Sequence, residues 1–322
     1  MTLEEHPDFV HVISHGPQCL DGVTAAVAVA RYYRHATVRA QFSSNTEINA
    51  RLRALRCDPP EATHAVWITD ISWTDPQVDR HLQGLIDRGV TVCWIDHHRT
   101  ALERVRRGEV TVQLTHQVLS EAFAASRLTY EYLRAQLLAR GTRNEWFAAL
   151  RKLVEMADDN DRWLHRIHGS RRLALILATP AFDAYEQLLH IDADVTYTPQ
   201  MRRAEQQLET ALARSFDVAA RSRVVRELGN GRVVTTAVCD GYPSEIADAW
   251  GKTAHNTIFA FFDTQSLTVS LRRSPDCTAD LSDLAEALGG GGHAAAAGCE
   301  LLELRVQVAE ALAHIVERGL TR

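Results

Sequence analysis

The sequence predicts an α/β protein with two domains. A parallel-sheet amino-terminal domain with a helical flank is followed by a smaller mixed α/β domain, and the active site is expected in the cleft between them. Three observations lead there. The first hundred residues alternate short β-branched or aromatic runs with amphipathic stretches, the pattern of a parallel sheet covered by helices. The chain has 322 residues, more than one typical core accommodates, so two domains of unequal size are expected. The polar, charged stretch 198–220 has few helix breakers and reads as an exposed helix joining them. The expected division is residues 1–195, a connecting helix over 196–222, and residues 223–322.

Residues 9–14 read as the first strand, the Ala-rich stretch 21–33 as a helix, and 37–41 as the second strand. THAVWIT (63–69) and VTVCWI (90–95) are two further strands, and their near-continuous hydrophobicity predicts burial on both faces. A helix over 76–88 separates them, opened by Asp75 as a cap and Pro76 in its first turn. From 117 to 189 the spacing becomes helical, with Leu119, Phe123, Leu128 and Tyr132, then Trp146, Leu150, Leu153 and Val154, at intervals near three and four. In the second domain 232–239, 257–263 and 267–272 read as strands, and 244–253, 282–288 and 301–318 as helices.

Composition narrows the classes. Hydrophobic residues at 46% and charged residues at 24%, with 17 Gly and 9 Pro, exclude collagen-like and disordered chains. Lys plus Arg (35) against Asp plus Glu (41) leaves a net charge of −6, unsuited to coating long duplex DNA but compatible with a local basic groove for a short anion. The six cysteines, Cys19, Cys57, Cys93, Cys239, Cys277 and Cys299, contain no C-x-x-C pair, so no disulfide framework or zinc ribbon is signalled and a cytoplasmic location is expected. Residues 1–8 lack the basic segment and apolar core of a secretory signal, and no apolar run reaches the roughly 18 residues that span a bilayer, so no membrane partner is expected.

The acids carry the functional signal. His15 and Asp21 follow the first strand, Asp70 follows the 63–69 strand, and Asp96, His97 and His98 end the next. In a parallel sheet these ends share one edge, where open α/β folds place their ligands. Asp158, Asp159 and Asp161 in MADDNDRW add a further acidic group at the end of an amphipathic helix. Taken singly, Asp70 reads as a turn former, the two histidines as one buried and one exposed ring, and the aspartates as a solvated turn. Together they need cations to neutralise them, and mixed Asp and His ligands point toward manganese, magnesium, iron or zinc. The run Gly289 to Gly292 with His293 reads as an anion cradle, in which Gly290, Gly291 and Gly292 aim backbone N–H groups and His293 adds a donor. No Gly-Lys-Ser/Thr follows, so it is not a P-loop.

IDHH (95–98), ITD (68–70), SHGPQCLDG (14–22) and GGGGHAAAAG (289–298) resemble the motifs of the DHH-family phosphoesterases with their DHH-associated carboxyl-terminal domain, and they occur along the chain in that family's order. That group includes RecJ-like exonucleases, short-oligonucleotide ribonucleases and cyclic-dinucleotide phosphodiesterases. The resemblance implies two manganese ions, with magnesium as the second expectation, held by His15, Asp21, Asp70, His97 and Asp159. Asp70 would bridge both ions, Asp96 would orient its neighbouring His, and His98 would face the substrate phosphate. Arg272, with Arg273 as the fallback, resembles the family's basic residue that contacts substrate, alongside Gly290, Gly291, Gly292 and His293.

The family's first motif is usually His-x-Asp-x-Asp, but here Cys19 and Pro17 stand two and four residues before Asp21. His15 is the nearest candidate ligand, and Cys19 offers a softer sulfur in place of a hard oxygen. The expected activity is hydrolysis of a phosphoester or phosphodiester in a small nucleotide or short single-stranded oligonucleotide, by water that the cations activate. Two alternatives stay open: a nucleotide-binding or regulatory protein with weakened catalysis, and an exopolyphosphatase-like phosphatase. A homodimer is the expectation for assembly.

Overall fold

A computed structural model describes residues 6–179, 182–300 and 302–320. The chain divides into two compact units, Met1–Glu205 and Gln206–Arg322. The first contains β1 (Phe9–His15), α1 (Leu20–Tyr32), β2 (Thr37–Ser43), α2 (Ile48–Ala54), β3 (His64–Thr69), α3 (Pro76–Ile86), β4 (Thr91–Asp96), α4 (Arg99–Arg106) and β5 (His116–Leu119). Helices α5 (Ala125–Ala139), α6 (Glu145–Ala148), α7 (Arg151–Asp161), α8 (Ser170–Leu177) and α9 (Ala184–Leu189) follow, and α10 (Pro199–Ser222) carries the division between the units.

The five strands are all parallel, in the order β2-β1-β3-β4-β5. The chain leaves β1 toward β2 on one side and returns to β3 on the other, so β1 and β3 flank the switch point where such sheets open a crevice at their carboxyl ends. Side chains alternate across the pleat. Ile13, Val66, Ile68 and Trp94 pack with Ile48, Leu52, Val78 and Leu82 from α2 and α3. Trp67 turns the other way, onto Tyr33 just after α1 and Tyr132 on α5. Every residue of β3 and of α1 is buried. The cap on α3 forms as its sequence predicts, with Asp75 accepting from the Gln77 N–H.

The structure departs from the sequence reading in several places. Residues 116–119 form the edge strand β5 where a helical stretch was expected to begin, because four half-exposed residues, two of them polar, carry too short an alternation to register. The short helices α2 and α4 also went unread. Residues 289–299, read as an anion cradle, are largely a β-hairpin, described next.

The second unit holds β6 (Val224–Glu227), β7 (Val233–Cys239), α11 (Pro243–Gly251), β8 (Thr257–Asp263), β9 (Thr268–Arg273), α12 (Leu281–Ala287), β10 (Gly291–His293), β11 (Ala296–Cys299) and α13 (Leu302–Leu320). Its mixed sheet has the order β10-β11-β9-β8-β7-β6. The glycines serve the hairpin: a Cβ on Gly290 would lie 2.1 Å from the Gly298 carbonyl oxygen, and one on Gly292 would lie 2.5 Å from the Ala297 Cα. No helix among the described residues is long and apolar enough to cross a membrane.

Arg31 on α1 is fully buried, and its guanidinium donates to the carbonyls of Trp146, Leu188, Leu189 and Ile191. Burial pulls it down to about 10, so it stays charged at neutral pH and satisfies four acceptors with one side chain. Arg31→Leu leaves these carbonyls unpaired, and urea unfolding is expected to show a loss of about 3 kcal/mol.

Candidate metal centre

Four segments meet at the carboxyl ends of β1, β3 and β4: His15 at the end of β1, Cys19 and Asp21 at the start of α1, Asp70 after β3, and Asp96 to His98 between β4 and α4. Local packing draws them together. The Ser14 hydroxyl donates to the Gly22 carbonyl at 2.7 Å and accepts from the Thr69 hydroxyl at 2.8 Å, tying α1 to both strands. A Cβ on Gly22 would stand 2.1 Å from the His15 carbonyl oxygen, so only glycine lets the helix approach this closely. Gly22 is therefore a site residue that the sequence displayed beside Asp21 but to which no role was attached. Asp70 adopts φ of 58°, a left-handed conformation that Asp tolerates and that turns its carboxylate back over the strand ends.

His97 is the hub. Its Nε2 lies 3.3 Å from Asp70 Oδ1, 3.4 Å from Asp161 Oδ2 and 3.8 Å from Asp21 Oδ2. This nitrogen is buried, yet none of the three oxygens meets it in hydrogen-bonding geometry. Burial alone would push His97 down, but the Asp70, Asp161 and Asp21 carboxylates override it and raise the ring to about 9. A buried nitrogen within 4 Å of three carboxylates, and hydrogen-bonded to none of them, fits a divalent cation, which takes oxygen and imidazole ligands together and cancels the repulsion among the acids.

Asp70 faces both ways. Its Oδ2 is 3.6 Å from His15 Nδ1 and accepts from the Cys19 thiol at 3.4 Å, so His15, Cys19 and Asp70 form a second donor set. Burial opposes ionisation of Asp70, but the adjacent His15 and His97 rings outweigh it and hold the carboxyl well below its usual range. Asp21 is shifted the opposite way, raised by burial and by the Asp70 and Asp161 charges. Burial and the Asp70 and Asp21 carboxylates likewise push the Cys19 thiol well above its usual value.

The structure separates the three aspartates of α7. Residues two apart on a helix point about 200° from one another, so Asp159 and Asp161 cannot both face the centre. Asp161 reaches His97. Asp159, the residue expected to be a ligand, instead accepts from the Arg166 N–H at 2.7 Å and the Ser170 hydroxyl at 2.5 Å and is buried there. Asp158 accepts from the Ala124 N–H and pairs with Arg127. Asp96 Oδ1 accepts from the backbone N–H groups of His97 and His98 and lies 2.7 Å from His98 Nδ1. It thus orients the ring of His98, and it meets His97 through the main chain.

In the second unit Arg272 on β9 pairs across the ladder with Ala296, and Ala296 with His293. Directly paired residues share a face, so Arg272 and His293 lie on one face two strands apart, about 10 Å by strand spacing. Arg272 donates to the Ser244 hydroxyl and the Leu271 carbonyl, and Arg273 to the Ala279 carbonyl. The N–H groups of Gly289 and Gly290 donate to the carbonyls of Glu286 and Ala285 at the end of α12. The Gly290 N–H expected in an anion cradle is thus spent on the helix terminus, and Gly291 and Gly292 belong to the exposed strand β10.

Three outcomes follow from this geometry. Asp161→Asn is expected to weaken Mn2+ binding at least about 10-fold by calorimetry with little change in melting temperature, whereas Asp159→Asn lowers the melting temperature by loosening the 166–170 turn. Gly22→Ala displaces α1 from the His15 carbonyl, and a displacement of this kind is expected to weaken Mn2+ binding about 10-fold or more in the same titration.

No protein-family model matches the chain. Over 302 residues it is 26% identical to oligoribonuclease NrnB of Bacillus subtilis (strain 168), an alignment covering 91% of this chain and 73% of that protein. Two solved structures superpose on it over nearly its full length. The pGpG-specific phosphodiesterase PggH from Vibrio cholerae gives a TM-score of 0.58 at 14% identity, covering 96% of this chain and 99% of PggH. The DHH domain of PF0399, described as a member of a family of ribosomal proteins, gives 0.58 at 15% identity, covering 97% of this chain and 87% of that one. The fold of this chain, with the Asp-His-His triplet at the rim of its parallel sheet, is that of the DHH-domain proteins.

Proposed function

We propose that the protein is a divalent-cation-dependent phosphodiesterase acting on short oligonucleotides or linear dinucleotides. The observation that carries this reading is the convergence of Asp21, Asp70 and Asp161 on a buried His97 Nε2 that hydrogen-bonds to none of them, with the second oxygen of Asp70 turned to His15 and Cys19. The names of the similar proteins, an oligoribonuclease and a pGpG phosphodiesterase, support the substrate class. A net charge of −6 agrees with a short substrate.

His97, Asp21, Asp70 and Asp161 would hold one cation, and Asp70, His15 and Cys19 a second. Bound there, divalent cations polarise phosphoryl oxygens and acidify water near the scissile bond. The first set is rich in hard oxygen and suits manganese or magnesium; the second, with a thiol, suits a softer ion. Asp96 holds the Nδ1 edge of His98, and the Asp96 hydrogen bond raises that histidine above its usual value. The half-exposed His98 ring would then offer its Nε2 edge to a phosphoryl oxygen. Within the second unit, Arg272, His293 and the Gly291–Gly292 backbone are the groups we assign to phosphate contact, which a guanidinium suits.

Cys19 favours one competing reading. A thiol that burial and carboxylates keep protonated is a poor ligand for a hard cation, which would leave the second donor set weak and the protein a nucleotide binder with little turnover.

Purified protein with added Mn2+ or Mg2+ is to be tested on short RNA, linear and cyclic dinucleotides, a 3′,5′-bisphosphate and polyphosphate. Short RNA and linear dinucleotides are expected to be hydrolysed. Asp70→Ala and His97→Ala should each lower turnover about 1,000-fold, equivalent to about 4 kcal/mol, with the circular dichroism of the folded protein retained. Tight nucleotide binding without turnover would establish the competing reading, and turnover of polyphosphate alone would replace the substrate class.

A further inference from the structure

A second group of metal-ligating side chains lies away from the catalytic centre. His11 on β1, Cys57 in the segment after α2, and His64 at the start of β3 bring one donor atom each to within 4.8 Å of one another. His11 and His64 are buried, and Cys57 is partly buried against the apolar cluster beneath α2 and α3. The group shares no residue with the catalytic centre. Asp70 follows the far end of the strand that His64 opens, six residues on, or about 20 Å along it.

We propose that His11, Cys57 and His64 form a zinc-binding site. The chemistry of the donors sets the metal: two imidazole nitrogens and one sulfur match zinc, whereas the oxygen-rich set around His97 matches manganese or magnesium. His64 Nε2 lies 2.8 Å from the Pro59 carbonyl oxygen, which can only accept. The proton of His64 therefore sits on Nε2, and its Nδ1 lone pair turns inward, where it accepts from His11 Nε2–H at 3.2 Å and where a metal ion would replace that proton. A ligating histidine is commonly fixed in this way, by a carbonyl holding its second nitrogen.

Spacing agrees. His11 Nε2 and His64 Nδ1 are 3.2 Å apart, close to the separation of about 3.3 Å between two nitrogens bound to one tetrahedral zinc at about 2.0–2.1 Å each. His11 and Asp58 also line a cavity of about 600 Å3, from which a water would complete four ligands. Arg39, Arg51 and Arg56 line the same cavity and repel a bare cation. On binding, Cys57 releases its proton to solvent, and the resulting thiolate with the Asp58 carboxylate offsets that repulsion. The ion would clamp the 55–63 segment to the sheet.

The test uses the full chain stripped with chelator and carrying Cys19→Ser, which removes the thiol of the catalytic centre. Titration with Co2+ is expected to give a thiolate-to-cobalt charge-transfer band and the strong visible bands of tetrahedral cobalt, both erased by one equivalent of Zn2+. Cys57→Ser or Cys57→Ala added to that background abolishes the charge-transfer band, while circular dichroism and Mn2+ binding at the catalytic centre persist. If the Cys19→Ser protein shows no thiolate band, or if the band survives loss of Cys57, His11 and His64 are a hydrogen-bonded pair only and the proposal fails.

Discussion

The constraint that organises the amino-terminal unit is the crowding of negative charge around one imidazole. Asp21, Asp70 and Asp161 all lie within 4 Å of His97 Nε2, and Asp21 and Asp70 are essentially sealed from water. Bringing such groups together without compensation is costly, because each loses its hydration and repels the others. The fold compensates Asp21 with backbone. Its two oxygens accept from the N–H groups of Ala125 and Ser126, buried donors of the first turn of α5 that have no partner within the helix. The residue at the cap of that helix, Ala124, has no side chain able to do this, and its own N–H goes to Asp158. Helix α5 is thus capped by two carboxylates remote in sequence, and the acidity of the centre and the placement of a flanking helix are one arrangement.

That arrangement gives the two oxygens of Asp70 different neighbours. One faces an imidazole among carboxylates and the other an imidazole and a thiol. The asymmetry matters because hard and soft donors select different ions. The same principle distinguishes the catalytic centre from the group formed by His11, Cys57 and His64. It also explains why Cys19 is compatible with the fold: a protonated thiol donating to a buried carboxylate satisfies Asp70 Oδ2 when no ion does so.

Much of this was legible in the chain. Near-continuous apolar runs ending in Asp or His announce strands buried on both faces with their chemistry at one edge. His15, six residues before Asp21, reaches Asp70 because it ends β1, and β1 pairs in register with β3, which Asp70 follows. Other features were not legible. The edge strand β5 has too few residues to show alternation. The Gly-rich run reads locally as an anion cradle, and its pairing with β11 reveals that the glycines clear space for a neighbouring backbone. Three acids in MADDNDRW are equivalent by composition, and helical rotation assigns them three different jobs.

Hydrophobic periodicity and motif spacing are local properties of a chain, and for this reason the main elements, the order of the strand-end acids and the family likeness could be read from residue order. Long-range seating could not. Asp161 faces His97 while Asp159 holds a turn, Asp21 caps a helix more than a hundred residues away, and His11, Cys57 and His64 meet. Each of these depends on how one element is rotated and seated against another. Packing of buried side chains fixes that, and no local pattern in the chain encodes it.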